Sequence, residues 1–245
     1  MASDDEQRLA KALKAVDDAF RARTLDELDD IMRRAFAEFG VESFNSVQFV
    51  DGSGAVTGKM QLGKSAGEYG DHYVANEYHR RDSVVRGVLQ SPSPLWWTKT
   101  KGSPVLTRPE RDLYDEAASF GWKDGFVTPV HNTDGISTVI LMTKAPLELS
   151  LVDQTTLRML SLYYYSFGMT LARNALPTAK LTERQRECLK WVSAGKTSWE
   201  ISAILHISER TVLFHIGEAC RRLGVQTRAQ AVAAALVQGL IGLNL

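Results

Sequence analysis

The chain has 245 residues, with 29 Lys and Arg against 29 Asp and Glu and 44% hydrophobic residues. That length suits one large domain or two modest ones, and 24% charged with 9% aromatic residues excludes wholesale disorder. Two cysteines, Cys188 and Cys220, are too few for a disulfide scaffold. The acidic start Met1-Ala2-Ser3-Asp4-Asp5-Glu6 is unlike a signal peptide, and no apolar run nears the ~18–20 residues that span a bilayer. A cytoplasmic protein without membrane attachment is the expectation.

In chain order, Leu9, Leu13, Val16 and Phe20 recur at helical spacing, as do Leu25, Leu28, Ile31, Ala35 and Phe39 on a second helix. Phe44 to Val50 alternates as a strand does. Asp51-Gly52-Ser53-Gly54 is a turn, and Ala55 to Leu62 a second strand. Helices are expected over Glu68–His79 and Arg108–Phe120, the latter with Pro109 in its first turn. Phe126–His131 and Ile136–Thr143 flank Asn132-Thr133-Asp134-Gly135 as a second hairpin, and a long helix over 151–172 follows. The pattern predicts an α/β sandwich of sensor type, an antiparallel sheet flanked by helices.

A boundary lies near Asn174-Ala175-Leu176-Pro177-Thr178-Ala179-Lys180, where Pro177 disfavours helix at Leu176. The expected organisation is a domain over 1–172, a linker over 173–180 and a second domain over 181–245. Capping boxes Thr182-x-x-Gln185, Thr197-x-x-Glu200 and Thr227-x-x-Gln230, with a Ser208 cap, predict helices over 182–194, 198–205, 209–223 and 228–240. Gly195 and Gly224 stand where left-handed C-terminal residues belong. The zero net charge hides an asymmetry. Residues 176–245 carry nine Lys and Arg against five Asp and Glu, and the first 175 carry 20 against 24, so the tail is the half suited to a polyanion.

Residues 198–205, the turn His206-Ile207-Ser208 and residues 209–223 supply the parts of a helix-turn-helix. Val212, Ile216, Ala219 and Leu223 make one apolar stripe flanked by His215, docking on Ile201, Leu205, Leu189 and Val192. The opposite face carries Arg210, Leu213, Phe214, Gly217 and Arg221. Lys196, Thr197 and Ser198 start the scaffold helix, where N–H groups, dipole and a cation favour phosphate. A four-helix docking or dimerisation module with a solvated basic face has the same pattern.

The run Leu181-Thr182-Glu183-Arg184-Gln185-Arg186-Glu187-Cys188-Leu189, with Gly195-Lys196-Thr197, Glu200-Ile201, Ile207-Ser208, Thr211-Val212 and His215, resembles the LuxR-type helix-turn-helix over about 65 residues. Gln185 departs from the family's usual Glu but still closes a capping box. The resemblance places residues 213, 214 and 217 nearest base edges and makes His215 a core residue. It gives Lys196, Thr197, Arg210, Thr211, Leu213, Phe214, Gly217, Arg221 and Arg222 as the DNA-binding set. Leu213, Phe214 and Gly217 cannot make bidentate base contacts. Recognition then falls to Arg210 or Arg221, to packing on thymine methyls, or to DNA deformability.

Three other readings, two of them resting on short motifs, compete in the first domain. Gly58-Lys59-Met60-Gln61-Leu62-Gly63-Lys64-Ser65 matches the Walker A pattern, but its interior reads as strand and no aliphatic run ending in Asp follows. Gly63-Lys64-Ser65-Ala66-Gly67 spells a nucleophile elbow without the parallel sheet and ordered Asp and His it needs. A phosphoacceptor receiver would open on a strand, whereas this chain opens on two helices. Chance accounts for both motifs.

Behind such a tail, the first domain resembles the acyl-homoserine lactone (autoinducer) receptor domain of quorum-sensing regulators. By family position the resemblance makes Tyr69 the lactone-carbonyl donor, Tyr73 the acyl-carbonyl tyrosine, Asp82 the amide acceptor, Trp97 the packing tryptophan and Gly125 a tight-turn glycine. Val85, Trp122 and Phe126 are further candidate walls, and Ser65 can replace some lost hydrogen bonding. Three positions depart from the family: Tyr69 where Trp is usual, Ser83 where Pro is usual, and Leu141 where an inner-strand hydroxyl is frequent. They imply a less polar acyl channel. Tyr69 and Tyr73 as plain core and Asp82 as a helix cap are the bland alternative.

Together these readings imply a non-enzymatic quorum-sensing transcription regulator without cofactor. Its partners are the signal, a second copy of the chain, duplex DNA carrying an inverted repeat and RNA polymerase. The 151–172 helix (Leu157, Leu160, Tyr164, Phe167, Leu171) is the expected dimer surface, and Ala231 to Leu240 a second pairing segment. The alternative is a ligand-independent regulator whose first domain is a dimerisation or protein-interaction platform.

Overall fold

A computed structural model describes residues 2–51, 55–64, 66–132, 135–175 and 180–242. The chain forms two compact units, Met1–Ala172 and Arg173–Leu245. The first contains α1 (Ala2–Phe20), α2 (Leu25–Ala37), β1 (Ser43–Asp51), β2 (Val56–Gly63), α3 (Glu68–Ala75), α4 (Ser83–Gln90), β3 (Leu95–Trp96), α5 (Trp97–Lys101), α6 (Arg108–Ser119), β4 (Asp124–Asn132), β5 (Gly135–Thr143) and α7 (Leu151–Ala175). The strands make one antiparallel sheet in the order β2-β1-β5-β4-β3.

Both faces of this sheet are covered. On one, α1, α2 and α7 bury Leu28, Phe36, Leu157, Leu160 and Tyr164 against Phe44, Phe126, Val139 and Leu141. On the other, Tyr69 of α3, Val88 of α4, Trp97 of α5 and Tyr114 of α6 pack over Phe49, Val127 and Met142. Alternation along each strand sends successive side chains to opposite cores.

The sheet carries the expected strands, and the long helices lie where periodicity puts them. The two predicted hairpin turns and linker residues 176–179 fall largely or wholly outside the described residues. α7 continues to Ala175, into the expected linker. On α1 the buried face is Ala12, Ala15 and Ala19, while Leu13 and Phe20 are 53% and 75% exposed. Small residues let α1 approach its neighbours closely, so the larger apolar stripe was a misleading guide to its inner face.

α3 stops at Ala75 rather than His79. The Asn76 side-chain amide donates to the His72 carbonyl at 2.9 Å, Glu77 turns left-handed at φ 51°, and a 3-10 turn covers Tyr78–Arg80. A polar side chain competing for the last helical carbonyl is a local stop signal. α4, β3 and α5 went unpredicted because each is too short to show a period, and Pro92 and Pro94 interrupt them.

The Walker-like segment is strand from Val56 to Gly63. Gly63 has φ +78°, and a Cβ there would lie 2.9 Å from the Phe44 carbonyl oxygen and 3.0 Å from the Tyr164 hydroxyl. Close packing explains that glycine without any phosphate.

The second unit holds α8 (Glu183–Ser193), α9 (Ser198–Leu205), α10 (Glu209–Leu223) and α11 (Arg228–Val237). All three capping boxes form, and the Ser208 hydroxyl accepts from the Thr211 N–H. Gly195 and Gly224 are left-handed, as is His206 in the turn between α9 and α10. Val212 and Ile216 dock on Cys188 and Ile201, and Ala219 on Leu189. α11 ends at Val237, short of the predicted 240, because the Leu240 N–H returns to the Ala235 carbonyl at 2.8 Å around left-handed Gly239.

Asp124, fully buried at the start of β4, ties three segments together. It accepts from the N–H groups of Gly125 at 2.8 Å, Leu147 at 3.0 Å and Thr98 at 3.1 Å, and from the Thr98 hydroxyl at 3.1 Å. Each buried N–H left without an acceptor costs ~1–3 kcal/mol. Asp124→Ala is therefore expected to lower stability by about 3–5 kcal/mol, read from the urea midpoint, with Asp124→Asn losing less.

Candidate functional site

Between the sheet and α3–α5 lies a cavity of about 140 Å³, several times the ~30 Å³ share of one water. Its floor is Asn45, Val47 and Phe49 of β1, Met60 of β2, Val127 of β4, and Ile140 and Met142 of β5. Its roof is Tyr69, Gly70 and Tyr73 of α3, with His79, Asp82, Val84 and Trp97. Four of the sequence-predicted residues, Tyr69, Tyr73, Asp82 and Trp97, thus meet in one cavity.

Asp82 is both a helix cap and a wall residue. One carboxylate oxygen, Oδ1, accepts from the Val84 N–H at 2.7 Å and starts α4. The other, Oδ2, accepts from the Tyr73 hydroxyl at 2.8 Å. A carboxylate has about four lone-pair sites, so further acceptor capacity remains. Burial raises the Asp82 pKa from 3.8, opposed by the hydrogen bonds from Tyr73 and Val84. Burial, reinforced by the Asp82 charge, also raises the Tyr69 and Tyr73 phenols, so both retain their protons at neutral pH and stay donors. The site offers phenol donors and a carboxylate acceptor on an apolar background, the combination that orients an amphiphilic small molecule.

Ser83, where the resemblance expects proline, is buried and shares a 2.9 Å hydrogen bond with the Tyr114 hydroxyl. Burial, partly offset by Ser83, raises Tyr114 to about 12. Tyr114 in turn meets Trp97 edge-on at 6.0 Å, so Ser83 braces the cavity from behind.

The remaining predicted walls are corrected. Phe126 is wholly buried in the opposite core, edge-on to Trp96 at 5.0 Å. Leu141 lies in that same core, so it says nothing about acyl-channel polarity. Val85 is buried but borders a separate groove with Arg86 and Leu89, and Trp122 borders another with Asp29 and Arg33. Gly125 is a strand residue rather than a turn. A Cβ there would come within 2.7 Å of the Trp97 ring, so this glycine lets the indole lie against β4. Ser65 lies outside the described residues. Asn45, Val47, Phe49, Met60, Val84, Val127, Ile140 and Met142 escaped the sequence reading, although period-two alternation carries their signal once one inward residue per strand is known.

In the second unit the outer face of α10 presents Arg210, Leu213, Phe214 and Gly217, with Leu213 56% and Phe214 62% exposed. Arg210 makes no ion pair or side-chain hydrogen bond among the described residues. Other predicted DNA residues are engaged internally. Arg221 pairs with Glu218 at 2.6 and 3.1 Å, Arg222 donates to the Lys180 carbonyl, and Lys196 approaches Glu200 at 3.4 Å. The Thr197 hydroxyl serves the cap of α9, and Thr211 bonds Ser208 at 2.7 Å. Among the described residues the buried Nδ1 of His215 has no partner. Trp199, 68% exposed at the start of α9, was not anticipated.

The raised Asp82 pKa has a stability consequence. A carboxyl whose folded pKa exceeds its unfolded value binds more protons in the folded state, so its contribution falls as pH rises between the two values. The stability difference between Asp82→Asn and the parent is expected to shift in favour of the variant as pH rises from 3.8 through the raised value, measured by denaturation of both proteins across that window.

Residues 24–167 match the "Autoinducer binding domain" and residues 179–235 match "Bacterial regulatory proteins, luxR family". The chain is 32% identical to the transcriptional activator protein BjaR1 of Bradyrhizobium diazoefficiens, over 69% of this chain and 70% of that one. It is 36% identical to the quorum sensing-dependent transcriptional regulator RpaR of Rhodopseudomonas palustris, over 71% of each. Its fold is similar to that of Escherichia coli SdiA, with a TM-score of 0.68 at 20% identity over 94% of this chain and 97% of SdiA. A further SdiA structure, in complex with octanoyl-rac-glycerol, has a TM-score of 0.68 at 19% identity, over 96% of this chain and 95% of SdiA. The chain therefore belongs to the LuxR family of bacterial regulatory proteins, in the group that joins an autoinducer binding domain to a helix-turn-helix.

Proposed function

We propose that this ligand-responsive regulator binds an acyl-homoserine lactone in the cavity beneath α3 and, so loaded, binds an inverted-repeat operator as a homodimer. The observation that carries the reading is the meeting of Tyr69, Tyr73, Asp82 and Trp97 in one largely apolar cavity. Asp82 takes the ligand amide N–H, Tyr69 donates a hydrogen bond to a carbonyl oxygen, Tyr73 does so to the other carbonyl once its hydroxyl turns from Asp82, and Trp97 covers the ring. Met60 and Met142 are flexible enough to follow an irregular acyl chain.

Filling the cavity stabilises the folded first domain by mass action, and with it the dimer. The dimer contact cannot use Leu157, Leu160 or Tyr164, which are wholly buried in the chain's own core. It falls instead on the outer side of α7 and the end of α1, where Tyr163 stacks on Phe167 at 5.5 Å and Phe20 meets Phe167 edge-on at 6.0 Å. In α11 Ala231 and Ala235 are core, which leaves Val237 as its outward apolar residue. Arg210 and Lys196 hold phosphates, while Leu213 and Phe214 contact thymine methyls.

Asp82→Asn keeps a competent helix cap but loses the charge-assisted acceptor. A hydrogen bond to a charged group is worth ~1.5–3 kcal/mol, so the lactone concentration that half-saturates a thermal-shift titration is expected to rise about tenfold to a hundredfold. An unchanged midpoint would put Asp82 outside the site. No change in melting or DNA affinity with any acyl-homoserine lactone would favour the ligand-independent regulator. Lys196→Ala is expected to weaken DNA binding about equally across sequences and to flatten its salt dependence by ~1; an effect confined to one operator would contradict a phosphate contact.

A further inference from the structure

Among the described residues, two buried polar atoms in the cavity wall have no partner, and they are of opposite kind. Asn45 is 6% exposed and its Oδ1 accepts from nothing; Trp97 is 9% exposed and its Nε1–H donates to nothing. Neither vacancy can be met from within the sheet. Asn45 stands between Gly63 on β2, which has no side chain, and Ile140 on β5, which is apolar. Its amide nitrogen donates to the Lys64 carbonyl at 3.4 Å, a contact only the NH₂ end can make, and this assigns Oδ1 as the unserved atom. The Trp97 indole is held flat on β4 by Gly125, with its flank against Tyr114.

The two groups line the same side of the sheet, two strands apart. Asn45 is level with Ile140 and, across it, with Val127, while Trp97 covers Gly125, two residues further along β4. Buried donors and acceptors are nearly always paired. An orphan donor and an orphan acceptor lining one ligand cavity mark where a ligand supplies the complements.

We propose that Asn45 Oδ1 and Trp97 Nε1 are two further polar recognition points, and that the one at Asn45 makes the preferred ligand carry a hydroxyl or N–H on its acyl portion in addition to the amide N–H. That hydroxyl or N–H donates to Asn45, and a separate oxygen of the ligand accepts from Trp97. This rests on the lactone reading of the cavity and narrows it to hydroxylated or otherwise donor-bearing acyl chains. It also reverses the apolar channel inferred from Leu141, because the polar group sits on β1 instead.

The test is a thermal-shift and binding titration of the full chain and Asn45→Leu with octanoyl-, 3-oxooctanoyl-, 3-hydroxyoctanoyl- and 8-hydroxyoctanoyl-homoserine lactone. The parent is expected to bind at least one hydroxylated lactone about tenfold more tightly than the unsubstituted one. Asn45→Leu should abolish that preference while binding the unsubstituted chain as well or better, and should melt no lower than the parent without ligand. Trp97→Phe should weaken all four lactones, and unchanged binding of all four overturns the Trp97 contact. Equal ranking of the four lactones by parent and Asn45→Leu overturns this inference alone. A lower melting point for unliganded Asn45→Leu does the same, by making Asn45 a structural residue. If no lactone shifts the parent, the lactone reading falls and takes this inference with it.

Discussion

Residues two apart on β1, β4 and β5 face the same side of the sheet, and the chain uses its two sides differently. Phe44, Phe126, Val139 and Leu141 meet α1, α2 and α7 in a filled core. Their neighbours Asn45, Val127, Ile140 and Met142 face α3–α5 and leave a cavity. Because the pleat alternates strictly, a substitution moved by one position changes from a lesion of the scaffold to a change in what the cavity accepts. The filled side supplies rigidity, and the other side can then afford vacant space and unpaired polar atoms.

Asp82 couples that space to the helices above it. Its two oxygens start α4 and hold Tyr73, while Ser83 and Tyr114 link the same corner to Trp97. A ligand contact at Asp82, as proposed, would therefore bear on the orientation of α3, α4 and α5 together. Burial works against the charged form. An N–H brought by a ligand would offset that penalty, which gives the empty and filled states different stabilities without any large rearrangement.

The second unit was the more legible in sequence, because its signals are local. Capping pairs three residues apart, left-handed glycines and an apolar stripe on α10 all act within one or two turns of helix. The first domain depends on pairings between distant strands, and there the reading was uneven. Tyr69, Tyr73, Asp82 and Trp97 were found through the family resemblance. Phe126 and Leu141 were assigned to the wrong face, a one-residue parity error that no local pattern corrects when both faces are buried. α1 misled for a different reason, since its inner seam is alanine and two of its large apolar residues, Leu13 and Phe20, point outward. Alternation could have placed Asn45 on the cavity face, but a lone polar residue in a strand declares a role only when its neighbours across the sheet are seen to leave it unserved.

The account stands on occupancy of one cavity governing the grip on DNA. The most direct measurement is the affinity of the full-length chain for a palindromic duplex at fixed salt, by fluorescence anisotropy, as acyl-homoserine lactone is titrated in. Affinity that changes saturably with lactone, at one molecule per chain by native mass spectrometry, is the predicted result. A constant affinity, with the lactone demonstrably bound in the cavity, would contradict it.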